Sequence, residues 1–175
     1  MTQEYVPTTR SAIKYGLYVG IASVILYFLL ILTGLYRHPV SVMSNVILIV
    51  GIIFGMREHK SLNEGYMTYV QGLGLGTMIA VITGFIVGLF MLIYMSADSA
   101  LLAQELQLNL DNNEKMGEIM GYSDEEIDAM EASTRAIVKP NVYFLIYLFS
   151  YLIVGFLFTL LVAAFQRKNK DIFSE

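Results

Sequence analysis

Four stretches of the chain carry almost no charge: Ala12 to Tyr36, Val40 to Met56, Tyr66 to Ser96 and Asn141 to Phe165. A helix rises about 1.5 Å per residue, so about 20 residues cross a hydrocarbon layer about 30 Å thick. Each stretch therefore predicts one crossing. Val40 to Met56 is the shortest, but Arg37-His38-Pro39 and Arg57-Glu58-His59-Lys60 bracket it with polar stops. Tyr66 to Ser96 exceeds what a bilayer requires, so its first turns are expected at the interface or the helix tilts. The pattern predicts an all-α membrane protein with four transmembrane helices, a single membrane domain over residues 1–175.

Small residues recur every fourth position through these stretches. The third carries Gly72, Gly76, Ala80, Gly84 and Gly88, the first Gly16 and Gly20, the second Gly51 and Gly55, and the fourth Gly155, Thr159 and Ala163. Lipid gives helices no reward for hiding apolar side chains, so association rests on close backbone approach and interhelical hydrogen bonds. These positions are the candidate helix-packing residues. A four-residue step overshoots a full turn by about 40°, so a stripe of five winds around its helix, and the third helix is expected at the centre of a four-helix bundle. The rival reading, glycines lining a conduit, needs polar or ionisable groups beside them.

Such groups are scarce. Apart from Lys14 at one end, the four stretches hold no Asp, Glu, Arg, His or Lys, and ionisable residues at membrane depth mark proton relays and ion paths. That speaks against a pump or a proton-coupled carrier. Away from the ends of the stretches, the polar groups include Ser23, Thr33, Asn45, Gln71, Thr77, Thr83, Ser150 and Thr159. Asn45 and Gln71, the only amides apart from Asn141 at the start of the fourth stretch, fall toward opposite membrane faces and read as interhelical or interfacial hydrogen-bonding groups. No inverted repeat relates residues 1–60 to 61–175, which weakens the case for a secondary transporter.

Composition agrees with lipid as the solvent, since 56% of the 175 residues are hydrophobic and 15% charged, against about 25% charged in an ordinary globular domain. Arg10, Lys14, Arg57, Lys60, Arg167, Lys168 and Lys170 flank one side of the predicted membrane, and Arg37, Lys115, Arg135 and Lys139 the other. Basic residues favour the cytoplasmic side. Both termini are thus expected in the cytoplasm of a bacterial inner membrane, with residues 97–139 facing outward. Tyr15, Tyr18, Tyr66 and Tyr69 at one interface, and Tyr36, Tyr94 and Tyr143 at the other, fit an aromatic anchoring belt. The opening "MTQEYVPTTR" lacks the features of a cleaved secretory signal, so the first helix is expected to remain as an anchor. There is no cysteine, hence no disulfide or thiolate chemistry. A pI near 5.2 without a basic groove gives nucleic-acid binding no support.

The outer segment 97–139 is too long for a passive connector. Leu102, Leu106 and Leu110 recur at helical spacing, Asn112 and Asn113 suggest a break, and Ser123 to Glu126 has the S-x-x-E pattern of a capping box after Gly121. A second helix is then expected through Ile127, Met130, Thr134 and Ile137 until Pro140 stops it. This helical hairpin carries ten acids against three bases. Asp124, Glu125, Glu126, Asp128 and Glu131 are its candidate partner-binding residues. The run lacks the alternating oxygen ligands and internal glycine of a calcium loop, so no metal ligands are assigned. His38 and His59 fall on opposite sides of the membrane, and Glu58, His59 and Glu64 form only a sparse cluster in a polar turn. No nucleotide loop, zinc-protease motif or nucleophile elbow occurs, and no catalytic residue or cofactor is expected.

The runs "AIKYGLYVGI", "EGYMTYVQGLGLG" and "MGYSDEEIDAM", in that order, resemble an uncharacterised family of four-helix bacterial inner-membrane proteins, catalogued as a domain of unknown function and common in Bacteroidetes. The resemblance covers nearly the whole chain. It implies an inner-membrane location and no transferable activity. The sequence thus leads to the expectation of a non-catalytic accessory or scaffold subunit of an envelope complex, in contact with membrane lipid and with other membrane or periplasmic proteins. A homo-oligomeric channel or facilitator using Thr77, Thr83 and Thr159 is the alternative, and a lipid-modifying enzyme at the Arg57 to Glu64 turn a third class.

Overall fold

The computed structural model describes residues 7–168. Regular structure among them is helical: α1 (Thr8–Leu32), a 3-10 turn (Pro39–Val42), α2 (Met43–Leu62), α3 (Tyr69–Ala97), α4 (Ser99–Met120), α5 (Asp124–Ile137) and α6 (Pro140–Gln166). An isolated antiparallel bridge joins Met67 to Lys168. Four segments are long and apolar enough to cross a membrane, namely Thr8–Leu32, Pro39–Leu62, Tyr69–Ala97 and Pro140–Gln166. Only 17–44% of their most apolar windows is buried within the chain, and Ile25, Phe54, Phe85, Ile153 and Leu161 are exposed. So much bare apolar surface suits hydrocarbon and not water. The protein is an all-α, multi-pass membrane protein.

Local chemistry explains where the helices end. Gly34 takes a left-handed φ of 71°, and the Leu35 amide donates back to the Leu30 carbonyl at 2.8 Å, the wide Schellman bond that closes α1. Thr33 adds its hydroxyl to the Leu29 carbonyl at 2.8 Å. At the start of α3, the Thr68 amide donates to Gln71 Oε1 at 2.9 Å and the Gln71 amide to Thr68 Oγ1 at 3.2 Å. This is a reciprocal capping box. It gives Gln71, read from sequence as an interhelical or interfacial hydrogen-bonding group, its role at the helix start, and it moves the start of the third span from Tyr66 to Tyr69.

The second span also differs from its sequence reading. Met43–Leu62 stays helical through Arg57, Glu58, His59 and Lys60, which were expected to stop it. None of these four breaks a helix, since Arg, Glu and Lys have good helix propensity and a single His costs little. The stop comes later: Glu64 and Gly65 have φ of 54° and 84°, and the Gly65 amide reaches back to the Lys60 carbonyl at 2.8 Å.

The chain forms two compact units, one made by the chain up to Val87 together with the chain from Tyr147 onward, the other by Gly88–Ile146. In the first, α3 meets α1, α2 and α6. A Cβ added at Gly16 or Gly20 of α1 would strike Ile82 or Ile86, one at Gly55 of α2 would strike Ile79, and one at Gly76 would strike Thr159 of α6. Leu48, Ile52, Met56, Leu75, Ile79 and Ala80 are fully buried in this unit. The second unit contains the α4–α5 hairpin with the adjoining ends of α3 and α6.

Candidate functional site

All twelve candidate packing residues touch neighbours within their own unit. Besides the contacts above, Gly51 faces Val19, Gly72 meets Ala163, Gly84 lies against Tyr151 and the Leu148 backbone, Gly88 against the Phe144 carbonyl, and Gly155 against Ala80. The stripes are therefore occupied by the chain's own helices. Of the threonines considered for a conduit, Thr83 donates to the Gly16 carbonyl at 3.4 Å and Thr159 is fully buried against Gly76.

The α4–α5 hairpin begins at Asp98, whose Oδ1 accepts the Ala100 and Leu101 amides at 3.0 and 3.2 Å. The third span thus ends at Ala97 and α4 starts afresh. Asn112 and Asn113 do not break it. Helix α4 continues to Met120 because Asn113 is spent sideways, its Nδ2 donating to Thr134 Oγ1 of α5 at 2.6 Å, and the turn falls instead at Gly121, with φ 72°. The buried positions of α4 are Leu101, Glu105, Leu110 and Gly117, not Leu102 and Leu106 as the leucine spacing suggested. At Gly117 an added Cβ would lie 2.7 Å from Ile127, so the two helices approach there as closely as glycine permits.

Helix α5 starts with the expected capping box. The Ser123 amide and hydroxyl both donate to Glu126 Oε2, at 2.8 and 2.9 Å. These donors hold the Glu126 carboxyl below its ordinary range. Asp124, Glu125, Glu126 and Asp128 are exposed, whereas Glu131 is half-buried and pairs with Arg135 at 3.3 Å. Beside this acidic start, at the same end of the hairpin, Met116, Ile119, Met120 and Tyr122 are exposed, Ile119 by 82%. Sequence reasoning found the acids but not this apolar group, because a helix ending at Asn112 would have left Met116 to Met120 outside any element.

The burial of two further polar residues is not legible in the sequence. Glu105, one of the hairpin's ten acids, is 2% exposed and accepts the Tyr143 hydroxyl at 2.9 Å. A buried carboxyl needs such a donor. His59 is fully buried, and neither ring nitrogen has a partner among the described residues. Its position on a helix that outlasts the apolar run is the only signal that pointed to burial. Glu58 does not join it: Glu58 Oε2 accepts from Lys14 at 2.7 Å and from the Tyr15 hydroxyl at 2.9 Å. Among the described residues no group of three or more His, Asp or Glu is placed to hold a metal ion.

A concave site lies where the last turns of α2 and α6 run side by side. Ile53, Arg57, Lys60, Ser61 and Gly65 face Val162, Phe165 and Gln166 across a space of about 700 Å³. Lys60 Nζ donates to the Gln166 carbonyl at 3.1 Å, and Gln166 Nε2 to the Ile53 carbonyl at 3.4 Å.

Compared with known proteins, residues 14–168 match the model of a family described as "Protein of unknown function (DUF4199)". No curated protein and no solved structure matches the chain.

Proposed function

With residues 14–168 matched, the chain belongs to that family of unknown function, and on this footing we propose that it is a non-catalytic subunit of a membrane complex that recruits a partner protein through the α4–α5 hairpin. The observation that carries the reading is the exposed group Met116, Ile119, Met120 and Tyr122 beside Asp124, Glu125 and Glu126. Apolar side chains held in water with a charged rim are the composition of a recognition surface. Its complement is a protein face with an apolar pocket and basic edges. The glycine stripes, occupied within the chain, support a scaffold held rigid by its own packing.

The setting proposed is the cytoplasmic membrane of a bacterium, with both termini inside and the hairpin outside, by the seven-to-four excess of Lys and Arg on the terminal side. The test is a mild-detergent pull-down of the tagged protein with mass spectrometry, comparing wild type with Ile119→Asp/Met120→Asp. A stoichiometric partner lost in the variant is the expected result. A lone homo-oligomer, unchanged by the substitutions and conducting a small solute in liposomes, would instead establish the facilitator reading.

A further inference from the structure

The space between the ends of α2 and α6 has the polarity of an amphiphile. Ile53, Arg57 and Ser61 follow one another at four-residue spacing along α2 with Lys60 beside them, and on α6 Phe165 and Gln166 lie three and four residues after Val162. Spacing of three or four residues keeps each set on one helix face. Farther from the helix ends the walls are Ile53 and Val162; toward the ends they become Arg57, Lys60, Ser61, Gly65 and Gln166, with Phe165 beside Gln166 in the last turn of α6. The apolar part continues onto bare surface, for Phe165 is 89% exposed, Leu161 59% and Phe54 50%. The volume of about 700 Å³ lies within the roughly 300–1,000 Å³ typical of small-molecule sites.

Among the described residues no acid lines the space. One neighbouring carboxylate, Glu58, is taken up by Lys14 and Tyr15, and Arg57 is exposed with no ion pair among the described residues. Lys60 uses one of its three protons on the Gln166 carbonyl at the negative end of α6, which fixes its ammonium at the mouth and leaves two donors. A planar guanidinium beside an anchored ammonium suits a phosphate.

We propose that this groove binds one anionic phospholipid, its phosphate held by Arg57 and Lys60, and an acyl chain along Ile53, Val162 and the exposed Phe165. Basic pockets between membrane helices recognise anionic headgroups in this way. The site is independent of the hairpin and of any partner.

The test uses the full chain in nanodiscs of phosphatidylcholine with increasing phosphatidylglycerol, extracted and weighed by native mass spectrometry. Wild type should retain one phosphatidylglycerol in preference to phosphatidylcholine. Arg57→Gln, a change at an exposed side chain, should lower that retention about tenfold, as losing one charge-assisted contact does, while leaving the thermal midpoint in place. Lys60→Gln should lower it too, and Arg10→Gln, a cation at the same membrane face but outside the groove, should not. Equal retention of the two lipids, an equal loss in Arg10→Gln, or no loss in Arg57→Gln would overturn the assignment. Displacement of the lipid by millimolar inorganic phosphate with the same Arg57 dependence would also overturn it, in favour of a site for free phosphate.

Discussion

Gly74 and Gly84 lie ten residues apart on α3 and meet opposite surroundings. An added Cβ at Gly74 meets nothing within 4 Å, whereas at Gly84 it would lie 2.9 Å from Tyr151 Cβ and 3.0 Å from the Leu148 carbonyl oxygen. A backbone carbonyl in a packed helix cannot swing aside as a side-chain tip can. Gly84→Ala should therefore lower stability by about 1–3 kcal/mol, the usual cost of overpacking, and Gly74→Ala should leave it unchanged or slightly raised. Thermal midpoints in one detergent check the pair, and equal effects would refute the packing account. His59 gives a second expectation at this scale. A buried polar group without a partner costs about 1–3 kcal/mol, so His59→Met, which keeps the bulk and removes both unpartnered nitrogens, should raise the midpoint.

At the scale of single elements, the hairpin depends on two short-range devices. Gly121 ends α4 in the left-handed region, where a Cβ is strained by about 1–2 kcal/mol. Gly121→Ala should accordingly destabilise the hairpin, seen as faster amide exchange in α4 and α5 than in α1. The Ser123–Glu126 box starts α5, and its sign with pH follows from the depressed carboxyl of Glu126. A carboxyl lower in the folded than in the unfolded chain contributes stability that is complete above the unfolded value and is lost as pH falls through the folded one. Amide protection in the first turn of α5 should thus hold at neutral pH and decline in acid, below the ordinary carboxylate range. Glu126→Gln should flatten that dependence. Both devices were legible, since Gly after a periodic run and S-x-x-E before one are local patterns. The unbroken course of α4 past Asn112 and Asn113 was not, because the cross-helix bond to Thr134 joins residues 21 positions apart.

For the molecule as a whole, the proposed orientation can be read directly, because a chain without cysteine needs no background substitution. Ser61→Cys, at the end of α2, and Ser133→Cys, in α5, are both exposed positions. In intact cells whose outer membrane has been made permeable, an impermeant maleimide should label Ser133→Cys at once and Ser61→Cys only after the inner membrane is opened. The reverse order would invert the proposed topology and place the α2–α6 groove in the outer leaflet.

What the sequence determined alone is the set of four membrane-spanning segments and the helical insert between the third and fourth. Span length and the absence of charge are set by bilayer thickness and desolvation, which act on each segment separately. The capping signals belong to the same class, since they are satisfied within four residues. What only the tertiary structure decided is how the small residues and the end-of-span polar groups are used. Gly84 opposes the Leu148 backbone and Gly155 opposes Ala80; Glu58 turns to Lys14 while Arg57 and Lys60 face α6; Glu105 is covered and bonded to Tyr143. These outcomes depend on which helix lies alongside, at what rotation and distance. The four-residue spacing offers a face for close approach but does not name the helix that will fill it.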